Sequence, residues 1–363
     1  MTCAGTALTA DAEYLKDFSM RTARLRVPLC GSLEITRRCN LGCVHCYIGP
    51  HCVAKGVNVK EMETAGILRV IDEITDAGCL FLLITGGEPL LHRDFAAIYR
   101  YAKMKGLLVT VFTNGTLIDE TVIKLFTELP PQVVEISIYG ASEETSAAVT
   151  GKKGLFMNCL HGIERLIANG IRVKLKTVLM TLNTHEFYAM EQLARGYGVK
   201  FRFDAGIFPR LNGDRRPLDF RVSVEDAVEK EFANSERLES WREYFERYRS
   251  LPVPDTLYVC SAGVTNFHID TYGGLHPCIM QTDLSYDLSA GSFQKGWKEV
   301  ISRIMEKKAP GDYQCNGCEH RSLCGFCPAF FGLENGGEEL PSAYLCEMGK
   351  HRGALMYNNA GRM

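Results

Sequence analysis

Between residues 32 and 203 short apolar runs alternate with amphipathic stretches of helical length, and this alternation narrows the fold more than any other feature. The runs are Ser32–Thr36, Leu80–Thr85, Leu107–Thr113, Val133–Ile138, Arg172–Val178 and Lys200–Phe203. Helical patterns lie between them at Lys60–Ala77, Asp94–Lys105, Asp119–Glu128, Leu155–Asn169 and Thr184–Tyr197. Most end on a glycine stop, namely Gly78, Gly106, Gly170 and Gly198. Such an order predicts βα units and a parallel sheet. Six repeats make a partial (β/α)6 barrel of the TIM type, whose reacting groups belong in the loops after the strands.

The loop after the first run holds Cys39-Asn40-Leu41-Gly42-Cys43-Val44-His45-Cys46, three cysteines spaced x3 and then x2. A loop this tight can aim three thiolates at one point, as three of the four irons of a cubane cluster require. The fourth iron then has no protein ligand and is free to chelate a small molecule. Part of a zinc site is the rival reading, although zinc normally takes four N or S ligands in a closed tetrahedron. A disulfide fits less well, because nothing marks the chain as secreted. After the second run comes Gly86-Gly87-Glu88-Pro89. Its glycines let backbone approach a ligand, and Glu88 offers a carboxylate to a cationic group. A plain strand-to-helix turn would explain the glycines and the proline but would not call for Glu88.

These two loops, each after the appropriate strand, resemble those of the radical S-adenosylmethionine (SAM) enzymes. His45 departs from the usual form, in which an aromatic residue precedes the last cysteine. The resemblance implies a [4Fe-4S] cluster on Cys39, Cys43 and Cys46, with SAM chelated by the open iron and cleaved to a 5′-deoxyadenosyl radical. It implies SAM contacts from Gly86, Gly87, Glu88 and Pro89, from Ser137 at the end of the fourth strand, and from Tyr47. Flavodoxin or ferredoxin would be the reductant, and handling would be anaerobic. Lys174, Lys176 and Arg202 lie on late strands, where alternate positions face the barrel interior. They meet either the SAM carboxylate or substrate, or stand at an exposed edge.

Cysteine usage points the same way. A chain of 363 residues with fifteen cysteines and no signal-peptide core predicts a cytoplasmic protein that uses thiols for metal. Cys79 and Cys159 read as small buried apolar residues, while Cys3, Cys30 and Cys52 stay undecided. With 41 basic against 43 acidic side chains, the net charge of −2 argues against nucleic acid and against an electrostatic membrane anchor. No apolar run is long enough for a membrane helix.

Residues 1–31 carry no strong periodicity and read as an extension, and 32–203 as the barrel. Residues 204–254 form a helical linker, with Trp241, Tyr244, Phe245 and Tyr248 at helical spacing as a packing stripe. The remainder, 255–363, reads as a small cysteine-rich domain. In it Cys260 and Cys278 bracket a predicted hairpin, and Cys315, Cys318, Cys324, Cys327 and Cys346 follow a helix near Phe293–Lys307. Five cysteines in that short space exceed one four-coordinate site, so two centres share them with the hairpin pair. Zinc knuckles use similar Cys-x2-Cys pairs.

The order resembles the SPASM extension of radical SAM enzymes, which holds two auxiliary iron–sulfur clusters. Carried over, Cys315, Cys318, Cys324 and Cys346 form the outer cluster, and Cys260, Cys278 and Cys327 the inner one. A complete extension has a further cysteine soon after the first, which Ser261 to Asp270 lacks. The inner cluster's fourth site is therefore open, filled by a noncysteine residue, or supplied by Cys3, Cys30 or Cys52.

SPASM enzymes mostly modify peptides, so the resemblance implies oxidative maturation of a ribosomal peptide, by a crosslink, a thioether or a related side-chain change. Sulfatase-maturing members carry an Asp base after the second hairpin cysteine, where this chain has Ile279, which tells against that activity. A leader-binding domain would be a separate partner or absent, since the N-terminal extension is too short to contain one. Two alternatives stand beside this reading. One is a SPASM-type enzyme acting on a small molecule such as a tetrapyrrole side chain, and the other a noncatalytic iron–sulfur carrier.

Overall fold

The computed structural model describes residues 4–49, 60–249 and 254–360. Among these, nine strands form one sheet. They are β1 (Cys30–Glu34), β2 (Phe81–Thr85), β3 (Leu108–Thr113), β4 (Val133–Ser137), β5 (Val173–Val178), β6 (Lys200–Asp204), β7 (Asn266–Ile269), β8 (Gly274–His276) and β9 (Tyr286–Asp287). The order across the sheet is β6-β5-β4-β3-β2-β1-β7-β8-β9. The first six pair in parallel, each within two residues of its expected bounds. The architecture is α/β, an open partial barrel with a cysteine-rich C-terminal segment.

Side-chain alternation divides the sheet's faces. Leu33, Leu82, Ile84, Val109, Val111, Val134, Ile136 and Leu175 are buried in one core. They pack against α2 (Thr64–Asp76), α3 (Phe95–Met104), α4 (Glu120–Glu128), α6 (Phe156–Ala168) and α7 (Phe187–Gly196), while α1 (Ala4–Leu25) precedes β1 and α5 (Glu143–Thr150) buries Val149 in a separate cluster. Ile67, Val70, Ile71 and Ile74 of α2 and Ile163 and Leu166 of α6 are fully buried there. Each such side chain contributes about 1.5–3 kcal/mol on leaving water. Cys79 and Cys159 belong to the same core. The intervening positions, among them Ser32, Glu34, Thr85, Glu135, Ser137 and Lys176, face the barrel interior.

Two features depart from expectation. Residues Ala4–Leu25, within the expected extension, form a helix. Its Tyr14, Leu15, Met20 and Leu25 are exposed and its Thr22 is buried. A second helix, α5, follows β4, with the Ser142 hydroxyl accepting from the Thr145 N–H as its cap.

The sheet also continues past β1. β7 lies parallel to β1, with Ser32 opposite His268 and Leu33 opposite Ile269, and β7 and β8 form the hairpin flanked by Cys260 and Cys278. The cysteine-rich segment is thus joined to the barrel by backbone hydrogen bonds. Residues 224–249 form α8 (Val224–Phe232) and α9 (Ser235–Tyr248), separated at Asn234, whose side chain accepts from the Arg237 N–H. Beyond the hairpin come α10 (Phe293–Glu299), α11 (Pro328–Asn335) and α12 (Ala343–Ala360). Phe245 of α9 is buried with Leu323 and Met356, and Arg352 of α12 lies over the Trp241 ring at 4.4 Å. The stripe on α9 is packing in part, while Tyr244 and Tyr248 stay exposed. No helix among the described residues is long and apolar enough to cross a membrane.

Candidate functional site

At the C-terminal end of β1 the chain turns into the cysteine loop, which α5 holds from outside. Gly42 N–H donates to Thr150 O at 2.8 Å and Val44 N–H to Val149 O at 3.0 Å. Successive turns follow, with Cys46 N–H on Cys43 O and Gly49 N–H on Cys46 O. The Leu41 N–H points at Cys39 Sγ, 3.4 Å away. These restraints bring the three thiols within each other's electrostatic reach. Burial pushes the Cys43 thiol far up, and the charges of Cys46 and Cys39 push it further. Burial likewise raises Cys39, with Glu88 and Cys46 adding to it. Burial that holds Cys39 and Cys43 as neutral thiols would be offset by the positive charge of an iron cluster, so this donor set fits one.

The turn after β2 is locked to that loop. Gly87 N–H donates to Thr36 O and Glu88 N–H to Arg38 O, each at 2.8 Å. A Cβ on Gly86, where φ is +147°, would lie 2.2 Å from Thr36 O, and one on Gly87 2.5 Å from Arg37 O and Arg38 O. Both glycines are required here because backbone meets backbone.

Glu88 is fully buried. Its Oε1 accepts from Leu90 N–H and the Thr113 hydroxyl, and Oε2 from Asn114 N–H. Burial pushes its carboxyl up to about 7 against these three donors. Oε2 retains one lone pair for a cationic group such as the SAM ammonium. Pro89 opens the 3-10 turn that Glu88 caps.

The end of β3 closes the ring of contacts. Asn114 Nδ2 donates to Asn40 Oδ1, and Asn40 Nδ2 to Thr116 Oγ1, each at 2.8 Å. Asn114 also hydrogen-bonds the Cys39 thiol. Asn114 reads as a turn residue in sequence, so this part of the site was missed. Its position at the end of a barrel strand was the available signal.

Ser137 lies at the end of β4, and its hydroxyl meets Tyr139. Tyr139 is likewise new to the site: its ring stands edge-on to His45 at 4.8 Å, and its hydroxyl feels the charges of Cys43, Cys46 and Cys39. Burial keeps His45 neutral, with its pKa down to about 4. Tyr47, expected to contact SAM, donates to Glu34 Oε1 at 2.9 Å and lies within reach of the Cys46 charge. On the interior face, Arg202 Nη2 donates to Glu135 Oε2 at 2.6 Å, with Lys176 Nζ at 3.8 Å from the same oxygen and over the Phe112 ring. Lys176 is half-buried and Arg202 more exposed.

The C-terminal cysteines fall into two groups. Burial pushes Cys324 up to about 12, reinforced by Cys346, Cys318 and Cys315. Cys327 is pushed up to about 12 by burial and then by Cys278 and Cys260. Glu338 is the acidic side chain whose charge reaches Cys278, but its carboxylate is engaged by Lys307, Gln281 and Tyr258. Cys30 begins β1 and neighbours Cys79 instead of the inner group, while Cys3 and Cys52 lie outside the described residues. Among the described residues no three His, Cys, Asp or Glu side chains stand close enough to hold one metal ion as they are. Within each group the thiols feel one another's charge.

Comparison with known proteins agrees with this geometry. Residues 33–194 match the radical SAM superfamily. The chain is 26% identical over 317 residues to the AdoMet-dependent heme synthase of Methanosarcina barkeri, covering 82% of this chain and 90% of that protein. It is 28% identical over 330 residues to the mycofactocin maturase MftC of Mycolicibacterium smegmatis, covering 85% and 81%. The crystal structure of Streptococcus suis SuiB bound to its precursor peptide SuiA superposes with a TM-score of 0.69 at 14% identity, covering 95% of this chain and 82% of that one. At that identity the likeness carries the fold.

Proposed function

We propose that this chain, whose residues 33–194 form a radical SAM domain, is an oxidative maturase of a ribosomally made peptide. The observation that carries the chemistry is the convergence of Cys39, Cys43 and Cys46 beside the Gly86–Pro89 turn at the mouth of the barrel. Those cysteines would hold the [4Fe-4S] cluster, which with SAM supplies a 5′-deoxyadenosyl radical that abstracts hydrogen from an unactivated carbon. Glu88 Oε2 and Ser137 would orient SAM. Tyr139, edge-on to His45, would stand beside the cluster thiols. Cys315, Cys318, Cys324 and Cys346 would hold the outer auxiliary cluster, and Cys260, Cys278 and Cys327 the inner one. Flavodoxin or ferredoxin would be the reductant, a separate leader-binding protein a further partner, and the cytoplasm the compartment.

A peptide substrate is supported by the named role of the MftC relative and by the peptide held in the SuiB structure. A second reading, chemistry on a tetrapyrrole side chain, is favoured by the heme synthase relative. It is also favoured by Arg202, half exposed on the interior face beside Glu135, as a guanidinium for a substrate carboxylate.

The test is anaerobic. The reconstituted protein receives SAM and dithionite, and 5′-deoxyadenosine is measured with host extract fractions before and after protease treatment. Stimulation destroyed by protease supports the peptide reading. Stimulation that survives it replaces that reading with the small-molecule one.

A further inference from the structure

The sheet has a free edge at β6, which stands last in the strand order and pairs only with β5. Asp204 O accepts from Leu179 N–H, just beyond β5, so Lys200, Arg202 and Asp204 turn their backbone groups toward β5. Phe201 and Phe203, the alternate residues, turn theirs away from the sheet. On that outer side Val199 N–H is taken by Ala194 O of α7 at 3.0 Å. Among the described residues nothing hydrogen-bonds the N–H or C=O of Phe201 there.

A cavity of about 690 Å³ lies against this edge. Val199 and Phe201 line it from the helix-covered face of the sheet and Lys200 from the opposite face, so the cavity spans the rim of the strand. Its far wall is one stripe of α9, made of Asn234, Arg237, Trp241 and Tyr244 at helical spacing. Trp241 and Tyr244 stand with ring centroids 5.8 Å apart, and Tyr244 is exposed.

We propose that this groove docks an extended, acidic segment of a peptide by adding it to β6 as a further strand. The proposal rests on the peptide reading, in which the docked segment is a part of the substrate held outside the barrel. An edge strand offers donors and acceptors at strand spacing, and pockets on either side then read alternate side chains. Charge selects the occupant. Arg237 and Glu191, paired at 2.5 Å, cancel across the groove. Of the other charged lining residues Arg195 and Lys200 are basic, and Glu236 is acidic and placed in the first turn of α9, where it meets the helix dipole. The surplus is positive, which favours carboxylates on the added strand, while the aromatic wall suits the apolar residues that alternate with them. A second copy of this chain fits poorly, because edge-to-edge pairing would set the same surplus against itself. A segment lying parallel to β6 also points its C-terminal end toward the end of the barrel at which the cysteine loop stands.

The probe is a short fluorescein-labelled peptide of alternating valine and glutamate, added to the reconstituted full chain. Fluorescence anisotropy reads its binding, and mass spectrometry reads amide hydrogen exchange. The expected result is saturable binding with slowed exchange over residues 199–203. N-methylation of alternate peptide residues removes the donors a strand needs and should weaken binding at least about tenfold. Lysine in place of the peptide's glutamates should do the same, and the chain variant combining Arg195→Glu with Lys200→Glu should reverse that preference. If the variant does not fold, the two altered peptides decide the matter. Absence of saturable binding overturns the proposal, as does unchanged exchange over 199–203 or equal affinity for the N-methylated peptide. Exchange there that slows with chain concentration alone assigns the edge to a second copy and overturns it as well. The protease test is a separate readout. Protease-sensitive stimulation without probe binding removes the groove and leaves the peptide reading, whereas probe binding with protease-resistant stimulation leaves a peptide groove and removes that reading of the reaction.

Discussion

The Asn114 N–H donates to Glu88 Oε2 at 2.8 Å, which pins the end of β3 to the turn after β2 inside a site where Glu88 has no exposed surface. An amide in place of this carboxylate cannot accept from Leu90, Thr113 and Asn114 together, because one end becomes a donor facing a donor. Glu88→Gln should therefore cost about 1–3 kcal/mol of stability. SAM affinity should fall with it. Thermal unfolding and equilibrium SAM binding to the unreduced protein read the two effects separately.

The same carboxyl gives the fold a pH dependence. Its pKa is about 7 in the folded chain against an ordinary 4.5, so the folded state holds the proton longer than the unfolded one. The stability from the buried, protonated acid is complete below about pH 4.5 and is lost as pH rises through about 7, on the order of 3 kcal/mol in all. Denaturation midpoints of the cluster-free chain across this window should show the loss. It should disappear in Glu88→Gln.

Gly87→Ala tests whether the glycine serves backbone packing. A Cβ there would sit 2.5 Å from two carbonyl oxygens, and main chain cannot yield as a side-chain tip can. A cost of about 3 kcal/mol is expected, with the cysteine loop displaced. Three cubanes predict about twelve irons per chain, and the variant should retain about eight after reconstitution. Full retention of all twelve would mean the loop tolerates the methyl group.

Much of this was legible in sequence, for physical reasons that can be named. The six barrel strands stand near their expected places because their apolar runs are buried by helices. Gly78, Gly106, Gly170 and Gly198 end helical patterns with φ between +66° and +99°, a conformation that favours glycine. The parallel pairing of β1 with β7 was not legible, since it joins residues more than two hundred apart with nothing local to announce it. The approach of His268 Nε2 to Glu34 Oε1, 3.7 Å apart, was hidden for that reason. Each residue is an unexplained polar interruption in its own strand, and only the sheet order places them side by side.

Arg352 offers a test far from the barrel. It is 7% exposed, donates to both oxygens of Glu231 at 2.6 and 2.7 Å and to Leu323 O at 2.6 Å, and lies over Trp241. One side chain thus joins α8, α9 and α12 to the residue preceding Cys324. Arg352→Ala strands the buried Glu231 carboxylate, a loss of about 3–5 kcal/mol when one member of a buried ion pair is removed. Leu323 O loses its donor at the same time, so the outer cysteine group should loosen. The expected result is a lower unfolding temperature together with loss of about four irons, with the barrel cluster retained. A double substitution, Arg352→Leu with Glu231→Leu, should recover much of the stability because no unpaired charge is left behind. If the double variant regains stability but not iron, the donor to Leu323 O rather than the ion pair holds the outer group in place.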